Sequence, residues 1–537
     1  MTFEAIIENG RVIDGTGNPW FDSCICIKNG KVAKITKRVR ENGKKKIDAT
    51  GMIVSPGFID YHNHSDLTLL VNPRAESYIH QGVTTLCIGN CGQSPAPISD
   101  KHRKHLEEYF AYHAYGVEVP MDWNTYGEYL AKLEKNGLGV NVIPFVGHGT
   151  VRIAVMGFDK RTPTNEEVEK MKALIDQSFR DGVFSLSTGL DYVPNLYADT
   201  KEIVELCKVV AKHRGVYTTH MRASGLKKGV IEALEIGRKA GVPVHILHYQ
   251  YALPISLKEF EEARAKGLDV TFDAYPYNGG CGSLDLQLQA FEGGWLFEGG
   301  LRKFFERIKN QEIRERLKKD LEKINWDQFY VAVCKNPESK RYEGKTIREV
   351  AESRGAHPVD VYCDLILENE SVALEVTPHE IDEGGIIRAL KHPAMLIGSD
   401  GWALAPYGDL HVGTPHPRCY GTYPRILGKY VREEGVLTIQ EAIRKMTSFP
   451  GQRLGLRDRG LLREGMWADI MIFDPEKIVD RATFNDPHRY PEGIEYVLVN
   501  GQVVIEKGKH TGVLAGKVLR RKSRQLADPS VYYKNGC

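Results

Sequence analysis

A chain of 537 residues is too long for one small core and calls for one large unit with a smaller companion. Hydrophobic residues make up 42% and charged residues 26%, the composition of an ordinary globular fold rather than of a disordered or fibrous chain. With 72 basic against 70 acidic residues the formal charge is only +2, which excludes strong attraction to nucleic acid or to an anionic membrane surface.

The N-terminus, Met1-Thr2-Phe3-Glu4-Ala5, lacks a basic segment followed by an apolar run, and no stretch is apolar enough to span a bilayer. A cytoplasmic location is expected. Ten cysteines without dense spacing fit a reducing compartment better than a disulfide scaffold. The basic runs Lys44-Lys45-Lys46 and Arg520-Arg521-Lys522 read as solvated surface.

The first fifty or so residues predict short strands: Ala5-Ile6-Ile7, Arg11-Val12-Ile13, Cys24-Ile25-Cys26-Ile27 and Val32-Ala33-Lys34-Ile35, broken by Asn-Gly and Asp-Gly turns. Between Val54 and Asp400 the rhythm changes, and short apolar runs alternate with helix-like stretches. Eight such runs fall at 53–60, 85–88, 140–146, 182–187, 216–219, 242–247, 269–273 and 394–398. Eight βα units predict a closed parallel barrel of the (β/α)8, TIM-like kind.

The gap between the seventh and eighth runs exceeds one helix. It holds a glycine-rich loop from Gly279 to Gly300 and a charged amphipathic segment over 301–324, which predict a helical insertion above the barrel mouth. Beyond Gly455 the strand-and-turn texture returns in 468–473 and 496–504. The expected architecture is therefore α/β: a small β-sandwich domain from residues 1–54 and 437–537, a barrel over 55–436, and an insertion over 284–350.

The strongest chemical signal is His62-Asn63-His64, directly after the first strand. Histidines at i and i+2 on an extended segment point the same way and can reach one ion. Metal-capable residues recur after other strands: Cys91 after the second, His220 after the fifth, His248 after the sixth and Asp400 after the eighth. Barrel enzymes build their sites at these C-terminal strand ends, and a thiolate, imidazole and carboxylate set suits zinc. Taken singly, Cys91 could be an inert buried thiol and Asp400 a helix cap. Taken together they predict a Zn2+ site.

Pro56-Gly57-Phe58-Ile59-Asp60 leading into the histidine pair resembles the amidohydrolase superfamily. Gly89-Asn90-Cys91-Gly92, Ser187-Thr188-Gly189-Leu190, Tyr275-Pro276-Tyr277, Gly398-Ser399-Asp400-Gly401 and His416-Pro417-Arg418 together resemble its D-aminoacylase (N-acyl-D-amino-acid deacylase) branch. The resemblance runs on through 464–469 and Val499-Asn500-Gly501, so it spans essentially the whole chain. It implies one tight zinc on Cys91, His220 and His248, with Cys91 standing where many relatives use a carboxylated lysine. It implies a second, weaker metal position faced by His62, His64 and Asp400, with Asp400 as general base.

The same resemblance assigns Arg418 to the substrate carboxylate, a role its planar fork suits, with Tyr275 assisting. Two expected partners are replaced: Gln250 stands where the family usually has a lysine, and Cys281 where it has a serine. A glutamate expected after the fifth-strand His-x-Arg is missing from His220-Met221-Arg222-Ala223-Ser224. His148, in Gly147-His148-Gly149 after the third strand, is a further candidate for lining the pocket, or else a hydrogen-bonded barrel histidine.

The leading expectation is a zinc-dependent hydrolase that deacylates an N-acyl amino acid, a small molecule probed through its carboxylate; a homo-oligomer is compatible with the sequence. The alternatives are a cyclic amide hydrolase of hydantoinase or dihydroorotase type, and a non-catalytic scaffold on the same fold. The first is separated by a panel of linear and cyclic amides. The second predicts lost metal ligands, whereas every expected ligand is present.

Overall fold

The computed structural model describes residues 2–222, 226–292, 294–377 and 382–521. Strands from both chain ends pair into one nine-stranded mixed sheet. Thr2–Val12 runs antiparallel to Phe21–Lys28 and parallel to Asn42–Asp48, and the C-terminal strands Ile470–Phe473, Ile494–Val499 and Gln502–Glu506 extend the sheet. The sheet curls back on itself, so that Val32 N–H donates to the Met466 carbonyl and Ala468 N–H to the Gly30 carbonyl, each at 2.9 Å. Ile7, Ile25, Val54, Ile470 and Leu498 fill its interior.

Two details depart from the sequence reading. Asn9-Gly10 is not a turn: Thr2–Val12 is one strand whose register shifts between Ile7 and Gly10, with Asn9 at φ 64°, the signature of a β-bulge. Asn29-Gly30 does form the hairpin turn, joining Phe21–Lys28 to Lys31–Thr36. The run at 53–60 is two strands rather than one. Ile53–Pro56 lies in the terminal sheet, between Thr2–Val12 and Ile470–Phe473, while Phe58–Asp60 opens the barrel. Gly57 makes the crossing, and a Cβ there would lie 2.2 Å from Thr84 Cγ2.

The barrel strands follow in order: Phe58–Asp60, Val83–Ile88, Asn141–Gly147, Ser185–Gly189, Val216–His220, Val244–Ile246, Val270–Ala274 and Met395–Ile397, all parallel. They are buried on both faces, which is why they read as continuous apolar runs. First and eighth strands meet at a seam just beyond their ends: Asp400 N–H donates to the His62 carbonyl at 2.7 Å, and His64 N–H to the Gly401 carbonyl at 2.8 Å. The Ser399 N–H and hydroxyl both donate to the Asp60 carboxylate, at 3.0 and 2.5 Å. The seam therefore locks two metal-capable segments against each other.

Helices Leu284–Glu292, Leu301–Lys309, Gln311–Asp320, Ile347–Arg354 and Pro358–Glu368 occupy the segment between the seventh and eighth strands. They pack with a three-stranded antiparallel sheet, Gly280–Ser283, Ala373–Thr377 and Tyr330–Cys334, that the sequence reading does not contain. Phe297 packs against Phe158 and Phe304. Among the described residues no helix is long and apolar enough to cross a membrane.

Candidate metal centre

Five strand ends bring four histidines, one cysteine and one aspartate to one place. His62, His64, Cys91 and Asp400 form one group of potential ligands and Cys91, His220 and His248 a second, the ligand atoms of each lying within 4.8 Å of one another. Cys91 belongs to both. The chain turns sharply to aim three of these side chains: Cys91, His248 and Asp400 have φ of 51°, 36° and 52°. A left-handed backbone costs roughly 1–2 kcal/mol at each non-glycine residue, the kind of strain that concentrates at functional sites. The glycines flanking Cys91 are required by space as well as by conformation, since a Cβ at Gly89 would lie 2.0 Å from the Phe145 carbonyl oxygen.

Two of the four rings, His62 and His220, are oriented from behind by a carboxylate. His62 Nδ1 lies 3.2 Å from Asp273 Oδ2, leaving Nε2 to face Cys91 Sγ at 3.4 Å and Asp400 Oδ1 at 3.1 Å. His64 Nε2 lies 3.1 Å from the same Asp400 oxygen. His220 Nε2 pairs with Asp191 Oδ2 at 3.1 Å, so that Nδ1 faces His248 Nε2 at 2.8 Å. Asp191 and Asp273 escape the sequence reading; the available signal is that Asp273, like Asp400, lies at the C-terminal end of a barrel strand.

Burial would push the Cys91 thiol up, but the His62 charge and hydrogen bonds from His220, His248 and His62 hold it well below its usual range. Burial likewise opposes ionisation of Asp400, and the charges of Arg418 and His62 outweigh it. Against their own desolvation, His220 is pushed up to about 10 by Asp191 and Cys91, and His64 to about 9 by Asp400 and Cys91. The centre thus stabilises positive charge among converging lone pairs. A divalent cation supplies that charge through the same atoms, so the residues present fit zinc.

Arg418 is 1% exposed, and its Nη1 reaches Asp400 Oδ2 at 3.1 Å. Its guanidinium lies over the Tyr275 ring at 4.9 Å and the Trp402 ring at 5.9 Å, and the Tyr275 hydroxyl pairs with that of Tyr251 at 2.6 Å. Gln250, in the turn after His248, is 1% exposed, and neither of its amide atoms has a hydrogen-bond partner among the described residues. Cys281 comes from the inserted sheet; burial pushes its thiol up to about 12 despite the Arg418 charge. The residues after Arg222, where the expected glutamate is missing, lie outside the described residues, as does Lys522 of the basic run.

His148 is not brought to this centre. Its Nδ1 meets Asn195 Oδ1 and its Nε2 meets Glu202 Oε1, each at 2.9 Å, so both ring nitrogens are engaged and none is left for a substrate. It is the hydrogen-bonded barrel histidine of the two readings.

A parallel barrel closed by ligand-bearing strand ends is the architecture of an amidohydrolase, and residues 337–505 match the Amidohydrolase family. The chain is 32% identical to the D-aminoacylase of Alcaligenes xylosoxydans xylosoxydans over 97% of its own length and 98% of the relative's. It is 31% identical to the N-acyl-D-glutamate deacylase of the same organism, covering 98% of both. Its fold superposes with a TM-score of 0.81, at 29% identity, on the N-acyl-D-glutamate deacylase from Bordetella bronchiseptica, solved with zinc and a phosphonate mimic of the tetrahedral intermediate, covering 97% of this chain and 100% of that one. The chain belongs to the D-aminoacylase family of N-acyl-D-amino-acid deacylases.

Proposed function

We propose that this protein is a zinc-dependent amidohydrolase that removes the acyl group from an N-acyl-D-amino acid carrying an uncharged side chain. The observation that carries the reading is the pair of ligand groups sharing Cys91, with the Arg418 guanidinium 3.1 Å from the Asp400 carboxylate beside them. Cys91, His220 and His248 would hold the tight zinc, and His62, His64 and Asp400 a second, weaker position. Zinc held there lowers the pKa of a water from about 16 to about 7, making a nucleophile at neutral pH.

The chain's own residues do the rest. Asp400 is ionised and placed to accept a proton from the attacking water and deliver it to the leaving nitrogen. Arg418, braced between Tyr275 and Trp402, presents its fork to the substrate carboxylate. Gln250 and the protonated Cys281 add no charge, so this pocket has no second cation from them for an acidic side chain. The inserted segment, which contributes Cys281, is assigned as the lid. The nine described cysteines are all unpaired, which supports a reducing, cytoplasmic setting.

The test is a panel of N-acetyl D- and L-amino acids, apolar and acidic, beside hydantoins and other cyclic imides, with metal content measured on the same preparation. The expected result is zinc together with turnover of N-acetyl-D-methionine or -leucine well above the glutamate and aspartate derivatives. Turnover confined to cyclic imides, or a preparation that takes up no zinc, overturns the reading.

A further inference from the structure

Asp273, the last residue but one of the seventh barrel strand, belongs to neither ligand group and touches both. Its Oδ2 lies 3.2 Å from His62 Nδ1 and 3.1 Å from His245 Nε2, and its Oδ1 accepts the His248 backbone N–H at 2.6 Å. The side chain is 1% exposed. Gly398, just beyond the neighbouring strand, clears its space: a Cβ there would lie 2.8 Å from His62 Cβ and 3.1 Å from Asp273 Cγ. Behind it, His245 is fixed in turn, its Nδ1 2.8 Å from the Thr271 hydroxyl inside the barrel.

We propose that Asp273 is the positioning residue that couples the two metal positions. By accepting a hydrogen bond from His62 Nδ1–H it fixes the tautomer and turns the Nε2 lone pair toward Cys91 and Asp400. By holding the His248 N–H it anchors the left-handed backbone that aims this ring at His220. Carboxylates behind ligating imidazoles set ring orientation and raise ligand basicity. Asp191 is the natural comparator, since it backs His220 and so serves one group. The inference rests on the reading that these groups hold zinc.

Asp273→Asn keeps the shape but cannot accept from all three donors. The expected result is zinc affinity weakened by about 10- to 100-fold, measured by competition with a chromophoric chelator. The thiolate charge-transfer and ligand-field bands of the Co2+-substituted protein should change as well. Asp191→Asn should disturb the position formed by Cys91, His220 and His248 and leave the other. A folded Asp273→Asn protein with wild-type zinc affinity and an unchanged Co2+ spectrum overturns the proposal. Should that variant fail to fold, histidine 15N NMR of the wild-type zinc protein decides: His62 protonated on Nδ1 and ligated through Nε2 supports it, and the reverse tautomer overturns it. A wild-type protein that binds no zinc sinks the metal reading itself, a failure distinct from an Asp273→Asn variant that binds it normally.

Discussion

His148, after the third barrel strand, and His220, at the end of the fifth, are both largely buried histidines beside a carboxylate, and their surroundings differ in kind. Around His148 donors meet acceptors: Asn195 and Glu202 take the two ring nitrogens, and Arg152 Nη1 reaches the other Glu202 oxygen at 2.5 Å. Around His220 like meets like. Its Nδ1 faces another imidazole nitrogen at 2.8 Å, and the nearby Cys91 sulfur faces a third at 3.4 Å. A closed network of donors and acceptors is complete without an ion, whereas lone pairs aimed at one another need protons or a cation between them. Burial and residue type are shared by the two clusters; the direction of the lone pairs separates them.

That contrast can be broken most severely at Cys91, the atom both groups share. Cys91→Ala should abolish zinc retention, read by elemental analysis, and take turnover to background; retained zinc with retained turnover would mean the lone pairs converge for some other reason. Asp400→Asn should keep zinc in the Cys91, His220 and His248 position while kcat falls by about 10²- to 10⁴-fold, the usual contribution of a general base. Arg418→Lys removes the fork and should raise KM by about 10- to 100-fold, the worth of one hydrogen bond to a charged group, with a smaller change in kcat.

The smallest effect on catalysis belongs to the His148 network. Glu202→Gln should leave zinc content and kcat near wild type while costing about 3–5 kcal/mol of stability, because it leaves Arg152 buried without its counter-charge. Burial raises the Glu202 carboxyl, yet His148 and Arg152 hold it below its ordinary 4.5 in the folded protein. The sign follows from that direction: its stabilising contribution is present at neutral pH and is lost as pH falls below 4.5 toward the lower folded value. Denaturant unfolding of wild type and Glu202→Gln across pH 3–7 should therefore converge at the acid end.

The eight barrel strands are legible in the sequence because strands buried on both faces leave uninterrupted apolar runs, and His62-Asn63-His64 because its spacing has a direct geometric meaning. The split at Gly57 is not legible, since Ile53-Val54 and Phe58-Ile59 are equally apolar and only their hydrogen-bonding partners distinguish them. The inserted sheet hides for a different reason: Gly280-Cys281-Gly282-Ser283 has no strand-like side chains and is extended because Ala373–Thr377 pairs with it. Asp273 and Asp191 escape because an aspartate at or just beyond a strand end looks like any turn residue until the imidazole behind which it stands has been placed.

The crossing at Gly57 bears on anyone wishing to harvest the catalyst in a smaller form. Trimming the chain just ahead of the first barrel strand would remove the neighbour of Ile470–Phe473, whose four residues are all buried, and bare its edge for pairing with other molecules. Miniaturisation from the N-terminal side therefore invites aggregation. Among the described residues, the span over 280–377 pairs its three strands only with one another, so its removal would bare no strand of the barrel or of the terminal sheet.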